Sequence, residues 1–115
     1  MVITDEKSRR AIGDYYRRSV ASYLKSPGAA AVLFEDDPQR NAVQRRVGES
    51  VAYLGEHMGE APVLIIPCIR AARLRAESQA GLWGSLLPAA WSYMLAARAR
   101  RLGTAWTTLH LRYER

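Results

Sequence analysis

The first quarter of the chain changes from a short apolar pair to a helical repeat of apolar and polar positions. Residues 2–3 have the character of a strand end, and Thr4 or Asp5 follows where a side-chain oxygen can cap the first turn of a helix. Across residues 7–24, apolar side chains recur at intervals of three and four, which predicts an amphipathic helix. Residues 26–28, a Ser-Pro-Gly run, end it. The apolar positions are Ala11, Ile12, Tyr15, Tyr16, Val20, Tyr23 and Leu24.

The same spacing predicts a second helix after an ambiguous stretch at residues 29–34. Asp36-Asp37-Pro38 is a typical helix start, with an acidic cap followed by proline in the first turn. The helix is expected to run to about Met58, and Gly59 to Pro62 to stop it. Its apolar stripe consists of Val43, Val47, Val51, Leu54 and Met58.

A continuous apolar run at residues 63–69 predicts a strand that is buried on both faces. Pro67 lacks a backbone donor, so it indicates a sheet edge or the end of the strand. Cys68 lies within this run and is expected to be an inert, buried thiol.

Residues 70–78 are a polar connection of uncertain structure, and a long apolar helix is predicted after it, at about residues 80–102. Pro88 should kink this helix, and small residues in its first half would let another helix or a flat ligand approach closely. Gly103 is expected to end the helix in the left-handed conformation. Residues 104–109 have high β propensity and predict a strand.

The apolar helix does not have the properties of a membrane span. Its charge-free run, residues 81–97, is marginal against the ~20 residues that a bilayer needs, and it contains Pro88 and polar side chains. A helix that is apolar nearly all round is typical of one that packs on several sides in a globular protein.

Composition bounds the class of protein. A chain of 115 residues with 49% apolar content fits one domain, residues 1–115. One cysteine excludes an internal disulfide, and the first residues lack the pattern of a signal peptide, so a cytoplasmic protein is expected. The net charge of +6 would suit a nucleic-acid-binding protein. The arginines are spread along the chain without a recognition motif, so solvated helix faces are the favoured interpretation.

The residues offer no catalytic constellation of their own. His57 and His110 have no partner at metal-ligand spacing, and Ser85 lacks the second glycine of a nucleophile elbow. The acidic cluster before Pro38 is interpreted as a helix cap. No catalytic or metal-binding residue is assigned, so an enzyme built on this chain would depend on a cofactor.

Three segments, in this order, resemble the FMN-dependent nitroreductase family. Residues 59–68 (GEAPVLIIPC) resemble a helix end and A-P-V-L-I strand, and residues 85–97 (SLLPAAWSYMLAA) resemble the long central helix. Residues 101–106 (RLGTAW) resemble the G-L-G-T-x-W end of that helix. Residues 2–6 (VITDE) are also similar to an early V-V-x-T-D strand end. The order and spacing of the segments carry more weight than any one of them.

The resemblance implies an α+β fold in which helices flank a mixed sheet and the apolar helix is central. It implies a homodimer with FMN at the interface, reduction by NADPH or NADH, and electron transfer to a nitroaromatic, quinone or similar small acceptor. The segment after the central helix would lie beside the flavin ring. The cofactor-binding residues that this implies are Gly103, Thr104, Trp106, Thr107, Thr108 and Leu109.

The resemblance also has gaps at both ends. The family's R-R-S-x-R segment, which grips the FMN phosphate, would precede Val2, and further elements would follow Arg115. Arg9 and Arg10 align within a helix and do not replace that segment. A truncated nitroreductase is therefore expected. The alternatives are a non-catalytic remnant that serves as a dimerisation module and a small basic nucleic-acid-binding protein.

Overall fold

A computed structural model of the chain describes residues 1–70 and 79–113. Most of the polar connection predicted at residues 70–78 lies outside the described residues. Within them, the secondary structure consists of helices and one small sheet, in the order β1 (Val2–Ile3), α1 (Glu6–Tyr23), a 3₁₀ helix (Ala30–Val32), α2 (Pro38–His57), a second 3₁₀ helix (Met58–Glu60), β2 (Leu64–Ile65), α3 (Gln79–Ala99) and a last 3₁₀ helix (Leu109–Tyr113). The predicted α+β class is confirmed.

Local capping chemistry starts α1 and α2 where the sequence predicted. The Asp5 carboxylate accepts a hydrogen bond from the Ser8 amide at 2.8 Å. Asp37 does the same for the Arg40 amide at 3.1 Å, with Pro38 in the first turn of α2. Each carboxylate satisfies an amide that has no partner inside its helix and sits at the positive end of the helix dipole.

The chain divides into two compact units, one made of Met1–Val2 and Ile65–Trp106 and the other of Ile3–Leu64 and Thr107–Arg115. The core of the second unit is a cluster of the buried side chains of Tyr16, Val20 and Met58. Tyr16 is only 1% exposed. Partly buried apolar side chains surround this cluster, namely Ile12, Val51, Leu54, Leu64 and Leu109.

Two glycines let α1 lie against the turn that follows α2. A Cβ atom on Gly13 would fall 2.8 Å from the amide nitrogen of Gly59, and one on Gly59 would fall 3.2 Å from the Cα of Arg10. The Arg9 guanidinium secures the contact, because it donates to the carbonyl oxygens of Gly59 and Ala61. The Arg9 side chain therefore links α1 to the backbone of the turn that follows α2, within the second unit.

The apolar stripe of α2 is covered along only half of its length. Val51 and Leu54 pack at the core and Met58 is buried, whereas Val43 and Val47 are exposed. The ambiguous stretch before α2 is a 3₁₀ turn, Ala30–Val32, and the Tyr23 hydroxyl accepts from the Ala30 amide at 2.8 Å. Phe34 follows in the left-handed conformation, with φ 60°.

The prediction of a strand over residues 63–69 that is buried on both faces is wrong. β2 spans Leu64–Ile65 and pairs with β1, and Met1 and Ile66 exchange backbone hydrogen bonds of 2.7 and 2.9 Å. Val63, Ile65 and Ile69 are exposed. Burial on both faces requires a layer on each side of a sheet, and exposed side chains on this short strand show that the requirement is not met. Cys68 is likewise exposed, which corrects the expectation of a buried thiol.

The long apolar helix exists as predicted, as α3, but most of its large side chains meet solvent. Trp83 is 49% exposed and Trp91 is 55% exposed, and Leu87, Tyr93 and Leu95 are also exposed. Ala97 is the buried residue of this helix. In the described part of the chain, no helix is long and apolar enough to cross a bilayer.

Candidate functional site

The predicted flavin-binding segment, residues 103–109, follows the C-terminal end of α3, where a Schellman motif turns the chain. The Leu102 amide donates to the Ala97 carbonyl at 3.0 Å, and the Arg101 amide donates to the Arg98 carbonyl at 2.9 Å. These two bonds define the motif, in which the residue after the helix cap adopts the left-handed conformation. That residue is Arg101, with φ 64°.

The expectation that Gly103 supplies the left-handed stop is therefore wrong. No glycine in the described residues has a positive φ. The bond from Leu102 to Ala97 closes the helix two residues before Gly103, so the left-handed turn falls on Arg101. The Arg100 guanidinium also donates to the Ala96 carbonyl at 3.2 Å, which satisfies another carbonyl at the end of the helix.

Three of the predicted flavin-binding residues, Gly103, Thr104 and Trp106, belong to the unit that contains α3. All three are exposed, and Trp106 presents 45% of its surface. The strand predicted over residues 104–109 is wrong, because residues 102–108 have no regular secondary structure. A strand needs a neighbour to take its backbone hydrogen bonds, and the sheet of the described chain consists of β1 and β2.

The other three, Thr107, Thr108 and Leu109, belong to the unit that contains α1 and α2. Leu109 begins the last 3₁₀ helix and packs against the core cluster, so part of its side chain is already covered. Thr108 is exposed, and its carbonyl accepts from the Leu111 amide at 3.1 Å. The boundary between the units separates the predicted residues into these two groups.

Both groups contain hydrogen-bond donors that are not used within the described chain. Among the described residues, the backbone amides from Gly103 to Thr108 donate no hydrogen bond. The hydroxyls of Thr104 and Thr108 lie on exposed residues. Such donors can meet the oxygen and nitrogen acceptors along the edge of a flavin ring, so these residues fit the cofactor that the resemblance implies.

Two ion pairs lie on the exposed surface of α1, each between side chains of that helix. Arg10 pairs with Glu6 at 2.8 Å, and Arg17 pairs with Asp14 at 2.7 Å. The hydrogen bonds from the Ser8 hydroxyl and amide, aided by the Arg9 charge, lower the pKa of the Asp5 carboxyl below its ordinary value. Among the described residues, no group of three or more His, Cys, Asp or Glu side chains could hold a metal ion.

One cluster that the sequence did not predict lies on the surface of the second unit. The rings of Tyr15 and Tyr113 lie 5.3 Å apart, and the Arg18 guanidinium carbon lies 5.9 Å from the centre of the Tyr15 ring. The spacing of apolar residues places Tyr15 on the apolar face of α1, yet the side chain is 45% exposed. Tyr15 and Tyr113 are distant in the chain, so spacing gave no signal of this contact.

Comparison with known proteins decides the family. The model of the nitroreductase family matches residues 1–114. This chain belongs to the nitroreductase family. Neither a search of curated proteins nor a search of solved structures found a match.

Membership of the nitroreductase family confirms the resemblance drawn from the three sequence segments. It indicates a flavin-dependent oxidoreductase in general, from a family whose members are usually dimers. The identity of the flavin, the electron donor and the flavin-binding residues remain predictions for this nitroreductase-family chain.

Proposed function

We propose that this chain is an FMN-dependent NAD(P)H oxidoreductase of the nitroreductase type. The observation that carries the proposal is the family match over residues 1–114. Bound FMN would accept a hydride from the nicotinamide donor and pass electrons to a small acceptor such as a nitroaromatic or a quinone. The proposed binding residues are Gly103, Thr104, Trp106, Thr107, Thr108 and Leu109.

The open donors of this segment support its proposed role. Free amides between Gly103 and Thr108 would bond the polar edge of the ring, and the hydroxyls of Thr104 and Thr108 would add further donors. Trp106 offers a half-exposed aromatic surface that can cover a flat ligand. Leu109, held by the core, would offer apolar surface from a fixed position.

The exposed side chains of α3 support a homodimer. A helix that presents two tryptophans, a tyrosine and two leucines to solvent resembles an interface more than a free surface. We therefore expect the chain to elute at twice its monomer mass in size-exclusion chromatography with light scattering. Trp91→Glu should shift it to the monomer. Tyr53→Glu, on an exposed part of α2, should leave the mass unchanged.

Flavin binding tests the proposal directly. FMN added to the purified protein should lose fluorescence in a saturable way, and NADPH or NADH should then bleach the visible absorption of the bound flavin. Thr104→Val removes a hydroxyl at nearly constant volume and should weaken FMN binding by about tenfold or less. Thr4→Val, outside the proposed site, should leave the affinity unchanged.

A non-catalytic dimerisation module is the second candidate. It is favoured by the exposed apolar side chains of α3, which would support a dimer with or without a bound flavin. A dimer that leaves FMN fluorescence unchanged would establish this candidate and reject the enzyme.

A further inference from the structure

The proposed flavin site leaves one aromatic and basic cluster without a role. Tyr15 projects from α1 and Tyr113 from the last 3₁₀ helix, and each is 45% exposed although their rings lie 5.3 Å apart. Arg18 lies over the Tyr15 ring at 5.9 Å, and Arg112 is an exposed neighbour of Tyr113. Half-exposed rings beside guanidinium groups suit a planar ligand that carries phosphate.

We propose that Tyr15, Tyr113 and Arg18 bind the adenosine phosphate half of the electron donor, and that Arg18 favours a donor with a 2′-phosphate. This inference rests on the proposed oxidoreductase function and decides between NADPH and NADH, which that function leaves open. The adenine would stack on the tyrosine surface, and the 2′-phosphate would meet the guanidinium of Arg18.

The position of Tyr113 relative to Leu109, one of the proposed flavin-binding residues, supports this assignment. Leu109 and Tyr113 are the two ends of one 3₁₀ helix in the same compact unit. At about 2 Å of rise per residue, these ends are separated by roughly 8 Å. A dinucleotide whose nicotinamide meets the flavin near Leu109 therefore has its adenine half within reach of Tyr113.

The charge environment of Arg18 supports a role in phosphate binding. In the described part of the chain, the Arg18 side chain has no carboxylate partner, and its guanidinium lies over the Tyr15 ring. Its neighbour Arg17 is already paired with Asp14 at 2.7 Å. A guanidinium without a carboxylate can form the charge-assisted, two-pronged hydrogen bonds that phosphate accepts. Arg17 thus provides a matched control with the same charge and nearly the same place in the sequence.

Binding of two analogues without nicotinamide tests the inference separately from flavin chemistry. By titration calorimetry, 2′,5′-ADP should bind about tenfold or more tightly than 5′-ADP, as expected for a charge-assisted contact. Arg18→Ala should abolish this preference, and Arg17→Ala should retain it. Tyr113→Leu should weaken both analogues by about fivefold or more, because it keeps apolar contact but removes the stacking ring. Tyr113→Phe should bind as the unmodified chain does.

The outcomes separate the two proposals. Equal affinity for the two analogues, absence of binding, or binding that Arg18→Ala and Tyr113→Leu leave unchanged would each overturn the inference. FMN titration of the unmodified chain reports on the proposed function, so absence of flavin binding together with intact analogue binding would reject only that function. Far-UV circular dichroism of Tyr113→Leu checks its fold, and Arg18→Ala, with Arg17→Ala as its control, keeps the test decisive if Tyr113→Leu fails to fold.

Discussion

Replacing Gly13 with alanine would place a methyl group against the backbone of the turn that follows α2. An ideal Cβ at this position lies 2.8 Å from the amide nitrogen of Gly59 and 2.9 Å from its Cα. Carbon atoms in contact normally lie about 3.5–4.0 Å apart. Both distances are therefore more than half an ångström shorter than a normal contact, and neither backbone atom can rotate away as a side chain would.

The expected magnitude follows from two opposing effects. Overpacking of a filled site typically costs about 1–3 kcal/mol. Alanine favours a helix interior over glycine by about 1 kcal/mol. Because the new methyl group would meet backbone atoms that cannot move aside, we expect the upper part of the overpacking range, about 2–3 kcal/mol. The net loss in the free energy of unfolding should then be about 1–2 kcal/mol.

Two other helical glycines make this a graded series, measured by urea denaturation with circular dichroism. Gly84→Ala has no atom within 4 Å of its new Cβ and should gain about 1 kcal/mol. Gly55→Ala meets the Val20 Cγ1 at 3.2 Å, a side chain that can shift, and should fall between the two. A Gly13→Ala variant as stable as Gly84→Ala would refute the close approach of α1 to Gly59.

Three further substitutions test other features of the fold. Arg101→Gly should stabilise the chain by about 0.5–1 kcal/mol, because glycine tolerates the left-handed conformation. Arg100→Gly, at a residue whose φ is not positive, should destabilise the chain. If thermal melts gave the reverse order of stability for these two variants, they would contradict the Schellman motif. Ser19→Ala should stabilise by about 1 kcal/mol, because the buried Ser19 hydroxyl has no partner among the described residues; a lower melting temperature would show that it is bonded. Because the pKa of Asp5 is lowered in the folded state, its stabilising effect should hold above its unfolded pKa of about 4 and fade as pH drops through the folded value. Asp5→Asn keeps a capping oxygen but does not titrate, so its stability difference from the unmodified chain should shrink in acid, and a constant difference would argue against the shift.

Local chemistry could be predicted from the sequence because it depends on neighbours in the chain. Asp5 and Asp37 cap helices whose first amides lie within three residues of them, and Pro38 lies directly after its cap. The position of the left-handed turn was missed by two residues. Glycine is the usual choice there, whereas the hydrogen bonds of the Schellman motif put Arg101 at that position.

Features that depend on distant parts of the chain were less predictable. A run of β-branched residues has strand propensity, but the sequence pattern does not show whether other elements cover the strand. The strand predicted over residues 63–69 is therefore longer and more buried than the observed Leu64–Ile65. The strand prediction for residues 104–109 is wrong for a related reason, because strand propensity does not supply a pairing partner. The Tyr15 and Tyr113 contact joins two ends of the chain, and the family resemblance gave no indication of it.

The chemistry of the Arg9 contact has a consequence for behaviour in acid. Its guanidinium donates to the carbonyl oxygens of Thr4, Gly59 and Ala61, and amide carbonyls do not titrate. The cap of α1, in contrast, depends on the Asp5 carboxylate, which loses its charge once the pH falls below its lowered pKa. The amides where α1 meets the turn after α2 should therefore stay protected from hydrogen exchange at a pH at which the first turn of α1 has lost its cap.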